Sequence, residues 1–195
     1  MNIYQSGRVA RVDRRRFLAL TAGTAAGSLA LVTTSGAATD DDLAYANFGI
    51  AAALLLEDFY GKALGIKDLD KSTRQTLRAG KLAAGKHGKA LGDLLVGAGQ
   101  TAPTADDFAF VWPSKTFRDL ASTKATALDV LRPTFGAYQS AAVSVTEPTY
   151  RVLFASLAVS LGQQAGALGE SLGVEPFPVA LSLEAASDAL EGYLG

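Results

Sequence analysis

Apolar side chains recur every three or four residues through four long segments of this 195-residue chain, the period of one helix face. Tyr45, Phe48, Ala52, Leu55, Leu56 and Phe59 form the first stripe, and Leu77, Ala84, His87, Leu91 and Leu94 the second. Leu128, Leu131, Phe135, Tyr138 and Ala142 form the third, and Tyr150, Leu153, Leu157, Gln164 and Leu168 the fourth. No run alternates apolar and polar residues as a half-buried strand does. The expected fold class is all-α.

Thr39 followed by Asp40, Asp41 and Asp42 supplies a capping side chain and three acids for the positive end of a helix. The first helix is therefore predicted to run from there to about Leu64 and stop at Gly65. Ser72 with Gln75 reads as a capping box for the second, which ends at Gly97 or Gly99. Ser114 is the expected cap of the third, and Pro133 within it predicts a kink. Thr146-Glu147-Pro148 starts the fourth, with a stop near Gly173. Pro176 and Pro178 then lead to a short final helix at about 183–193. The segment between the second and third helices carries Phe108, Phe110 and Trp112, expected to pack on the bundle and cover its end. Together these features predict an up-down four-helix bundle with a crossover connection between helices 2 and 3.

The first 37 residues read as an address. Arg8, Arg11, Arg14, Arg15 and Arg16 precede an uncharged stretch from Phe17 to Val32, and small residues follow at Ser35-Gly36-Ala37-Ala38. Arg14, Arg15, Phe17 and Leu18 lie in a stretch that resembles the twin-arginine export motif. The expected partners are thus the twin-arginine export machinery and a signal peptidase, with cleavage after Ala37 or Ala38. The domain at 38–195 would act in the periplasm, the cell envelope or outside the cell. Removing residues 1–37 takes five of the 18 bases and one of the 19 acids, leaving 13 and 18, a net charge of −5. No basic excess marks a nucleic-acid surface. No later stretch reads as long and apolar enough to cross a bilayer, so no stable membrane span is expected after cleavage. A homodimer is a possible assembly.

The chain has no cysteine and a single histidine, His87. Disulfides, thiolate metal sites, cysteine nucleophiles and multi-imidazole centres are excluded. The serines have no histidine at a sequence spacing that suggests nucleophilic catalysis. Glu57 and Asp58 could serve as a carboxylate pair for acid–base work, but one interior residue beside one solvated neighbour is the simpler reading. Tyr60 and Tyr138 are expected to be core residues with satisfied hydroxyls.

The segment Leu43 to Leu64, LAYANFGIAAALLLEDFYGKAL, resembles the first helix of the ferritin-like domain of desiccation-related proteins. Lys86-His87 with Leu91-Gly92 is similar to that family's second helix. Phe135-Gly136-Ala137-Tyr138 with Ala141-Ala142 is similar to its third, and Pro176-Phe177-Pro178 to its tail. The resemblance implies a ferritin-like bundle, often with two metal ions at its centre. Such a centre takes a glutamate from each of two helices and a Glu-x-x-His from each of the other two. Here the corresponding positions hold Ala53 and Leu56 on the first helix, Ala84 and His87 on the second, Leu131 on the third, and Ser160 and Gln163 on the fourth. Only His87 keeps its residue type. Glu57 shares roughly the face of Ala53 but stands about 6 Å further along the axis.

Burying two cations without carboxylates is prohibitive, so the expected protein has kept the bundle and lost the metal. No cofactor is expected, and the reading leans away from enzymatic activity towards a structural, stress-related or binding role. One alternative is a weak oxidase or peroxide-consuming protein holding iron or manganese on His87 and Glu57. Another is a small-molecule carrier with a cavity lined by Ala53, Ala84, Leu131 and Gln163. Within the bundle, His87 is expected to be neutral, buried and bonded to Ser160 or Gln163.

Overall fold

The computed structural model describes residues 38–169 and 179–194. Arg14, Arg15, Phe17 and Leu18, together with Gly173 and the Pro176-Phe177-Pro178 segment, lie outside the described residues. Five α-helices are found among the described residues: α1 Asp40–Ala63, α2 Lys71–Gly97, α3 Leu120–Ser144, α4 Pro148–Gly169 and α5 Leu183–Leu190. Short 3-10 turns occupy Ala105–Asp107 and Glu191–Tyr193. The described residues contain no strand, only an isolated bridge between Phe110 and Leu194. The all-α class is thus observed.

Thr39 caps α1 as expected: its hydroxyl accepts from Asp42 N at 3.3 Å and its own N–H reaches the Asp42 carboxylate at 3.2 Å. Two other caps differ from expectation. α2 begins on Asp70, whose carboxylate accepts from the N–H and the hydroxyl of Thr73 at 2.8 and 2.7 Å. A carboxylate bonded twice at the positive end of a helix outcompetes the Ser72 hydroxyl two residues on. α3 begins on Asp119, which accepts from Ser122 N at 2.8 Å, and not on Ser114. The chain must first bring Phe117 onto Phe59 of α1, with ring centroids 5.6 Å apart. Helix α3 continues through Pro133, which is buried within it.

Side-chain contacts fix the directions of the helices. Thr146, between α3 and α4, bonds Asp42 at the start of α1, and Tyr150 near the start of α4 bonds the Leu94 carbonyl late in α2. At the opposite end, Tyr60 late in α1 meets Gln164 late in α4, and Phe117 just before α3 lies on Phe59. Helix α2 therefore finishes at the end where α1 begins, while α3 starts at the other, and the segment 98–119 runs the length of the bundle between them. Adjacent long helices are antiparallel, with α1 packed mainly on α2 and α3 on α4.

Along this connection Phe108 and Phe110 stack, and Trp112 packs against Phe59, Phe117 and Tyr193. Trp112 also donates to Asp58 at 2.7 Å. Asp58, which pairs with Lys62 as well, is thus a tether for the crossover. One expectation about membranes is corrected here. Helix α4 has a single charged residue, Arg151, and is long and apolar enough to cross a bilayer by length and composition. In the bundle, 44% of its most apolar stretch is buried against the other helices.

Candidate functional site

Most of the positions that the resemblance singled out are buried, but they do not all meet: Ala53 and Ala84 lie along the seam of α1 and α2, beside Gly88. Ala53, Ala84 and Leu131 are 3%, 2% and 0% exposed and contribute only apolar surface. His87 on α2 turns inward, and its Nε2 lies 3.1 Å from Ser160 Oγ on α4. Ser160 is thus the histidine's partner. Gln163, the other expected partner, is exposed, because a helix turns by about 100° per residue. The next residue, Gln164, points inward in its place. Its Oε1 accepts from the Tyr60 hydroxyl at 2.8 Å, and its amide reaches back to Ser160 at 3.4 Å. A chain of neutral groups therefore links α1, α4 and α2 through Tyr60, Gln164, Ser160 and His87.

Close packing holds this chain in place. Helix α2 has no side chain at Gly80, and the Tyr60 ring lies where one would project: a Cβ there would come within 2.5 Å of it. A Cβ at Gly49 of α1 would likewise meet Leu91 at 2.6 Å. Tyr138, which touches the same glycine, donates to the Gly49 carbonyl at 3.2 Å. Neither glycine stands out in the sequence alone. Their signal lies in the pairing with Tyr60 and Tyr138, which a single sequence does not display.

Electrostatically the centre is neutral. Burial pushes the His87 imidazolium down to about 4, so the ring is uncharged at neutral pH. Burial likewise raises the Tyr60 and Tyr138 phenols, which stay protonated. The contact between His87 and Ser160 is one of the two expected for this histidine. The two are 73 residues apart in sequence and meet because α2 and α4 pack side by side. A base titrating near 4 removes a serine proton poorly at neutral pH, and among the described residues no carboxylate orients the ring.

Glu57 lies elsewhere. It faces Gly85 on the outer seam of α1 and α2, its Oε2 3.6 Å from where a Gly85 Cβ would project. Gly85 and His87 stand two positions apart and so leave α2 on nearly opposite sides. The structure therefore does not bring Glu57 and His87 into one site. Among the described residues, no three of histidine, aspartate and glutamate converge as a metal-ligand group. The donors that line the centre, one imidazole with neutral hydroxyls and an amide, do not fit a dinuclear centre. Ala53 and Ala84 do border an open groove of about 300 Å³ together with Glu57 and Gly88, but Leu131 and Gln163 are not part of it. The four residues proposed for a carrier cavity do not line one space.

One buried acid was missed as a site in its own right. Asp42 is 0% exposed and accepts from Thr146 N at 2.8 Å, the Thr146 hydroxyl at 2.7 Å and Glu147 N at 3.1 Å, besides its bond from Thr39. Burial works to raise its pKa, but these hydrogen bonds outweigh it and hold the carboxyl below its usual range. Its partners lie more than 100 residues away, so no local pattern announced them. No protein family, curated protein or solved structure matches the chain.

Proposed function

We propose that this chain is an exported ferritin-like bundle whose metal centre has been replaced by a neutral hydrogen-bonded core, serving a structural, stress-related or binding role without catalysis. The observation that carries this reading is the inward side of the four helices. At the positions where the resemblance expects metal-ligating carboxylates the chain carries the buried, apolar Ala53, Ala84 and Leu131, and the polar groups from Tyr60 to His87 satisfy one another. The antiparallel helix pairs and the connection along the bundle agree with ferritin-like topology. Export rests on the arginine motif and the small residues before Ala38.

Metal loading tests the reading. Incubation of the purified protein with Fe(II), Mn(II) or Zn(II), followed by exhaustive dialysis, should leave less than about a tenth of an ion per chain, since no carboxylate set is present to hold one. One or two ions per chain, lost in His87→Ala, would establish the oxidase alternative. A fusion of residues 1–37 to a folded reporter should leave the cytoplasm only while Arg14 and Arg15 are intact.

A further inference from the structure

We infer that the outward face of α2 is a docking surface for an anionic lipid bilayer. Helix α2 carries Lys71, Arg74, Arg78, Lys81, Lys86 and Lys89 against a single acid, Asp93. On a helical projection these bases fall within about 140° of one another. They form a cationic ridge roughly 27 Å long, on a domain whose net charge without residues 1–37 is −5.

Arg74 donates to the Leu64 carbonyl at the end of α1 at 3.3 Å, but the rest of the ridge is not explained by the needs of the helix. Lys71 and Arg74 stand in or beside the first turn, where the macrodipole favours acids, and that turn contains none. Lys89 is paired with Asp93 at 2.6 Å. Arg78, Lys81, Lys86 and Lys89 line an open depression of about 410 Å³ together with Leu64, Leu82 and Gly85, with Glu57 the one acid in its lining. That basin suits a phosphate headgroup.

Two exposed apolar side chains choose a bilayer over a soluble polyanion. Leu82 and Val96, 62% and 63% exposed, project on the same side of α2 as the bases. Leu82 lies among the bases and Val96 about two turns beyond the last of them. A helix face that combines cations with exposed apolar side chains matches an anionic interface, where the charges meet headgroups and the apolar tips enter the acyl boundary. A second copy of this chain is disfavoured, because a two-fold pairing through α2 would set ridge against ridge. The inference is independent of whether the core holds a metal.

Co-sedimentation of the full chain with vesicles tests it. Vesicles of phosphatidylcholine with about a third phosphatidylglycerol should bind the protein at low salt and release it as ionic strength rises. Pure phosphatidylcholine vesicles should bind at least about tenfold less. The double variant Arg78→Glu, Lys86→Glu alters exposed side chains and should keep its helical circular dichroism. It should lose at least about tenfold in binding, each base near the surface being worth about 1 kcal/mol. Leu82→Ser with Val96→Ser should weaken binding to the anionic vesicles at the same low salt. Three results would overturn the proposal: equal binding to neutral vesicles, binding unchanged by the charge reversal, or binding to soluble polyphosphate with none to the anionic vesicles.

Discussion

The bundle buries polar side chains in two places, and it treats them in opposite ways. At the end where α1 begins, Asp42 is fully buried as a carboxylate and is met by donors from Thr39, Thr146 and Glu147. At the centre, His87 is buried as a neutral ring and is met by a hydroxyl. The chain can therefore bury a charge, and where it does so it arranges several hydrogen bonds around it. At the centre it avoids charge altogether. A middle free of carboxylates is thus a property of that region and not of the chain as a whole.

Removing either polar group breaks the comparison in a predictable order. Asp42→Ala should cost about 3 kcal/mol in chemical denaturation, because it leaves the donors of Thr146 and Glu147 buried without an acceptor and uncaps α1. The Asp42 carboxyl titrates below its ordinary value of 3.8, so its contribution is complete above that pH and is lost as pH falls below it. His87 acts in a different window. Between pH 6.5 and about 4 an unfolded chain takes up a proton that the buried ring refuses. Stability should fall through that window by up to about 3 kcal/mol and stay level above it. His87→Gln should flatten the slope, and a slope unchanged in that variant would assign it to another group.

Two glycine substitutions sharpen the contrast between the closed centre and the outside of the bundle. Gly80→Ala drives a methyl group into the Tyr60 ring and should lower stability by about 2 kcal/mol, despite the better helix propensity of alanine. Gly166 of α4 has nothing within 4 Å of the position a Cβ would take. Gly166→Ala should therefore raise stability by up to about 1 kcal/mol. Equal effects at the two sites would mean that the centre is loosely packed.

The long helices were legible in the sequence because their apolar stripes repeat over about four to five turns, and Thr39 as a cap and Pro148 as a first helical residue stand where no rival competes. The starts of α2 and α3 were not. Asp68, Asp70 and Ser72 offer three rival caps within five residues, and only the geometry of the turn selects Asp70. The third helix starts five residues later than Ser114 suggests because Phe117 must first reach Phe59.

For the site, the identity of the inward positions was legible on α1, α2 and α3. On α4 the apolar stripe carried Gln164 while the resemblance carried Gln163, and the structure turns Gln164 inward: periodicity kept the helical phase that alignment to a family lost by one residue. Asp42 looked like one of three dipole acids. Its true partners, Thr146 and Glu147, follow a separate helix and become neighbours only when α1 and α4 pack together.

The most direct test of the central claim is the pH titration of His87 by NMR, with and without added metal. The chain has one histidine, so a single imidazole signal reports on the centre of the bundle. A midpoint near 4, unmoved by stoichiometric Zn(II) and unbroadened by Mn(II), is the expected result. A midpoint near 6.5, or a signal that shifts or broadens with one equivalent of metal, would contradict a closed and neutral core.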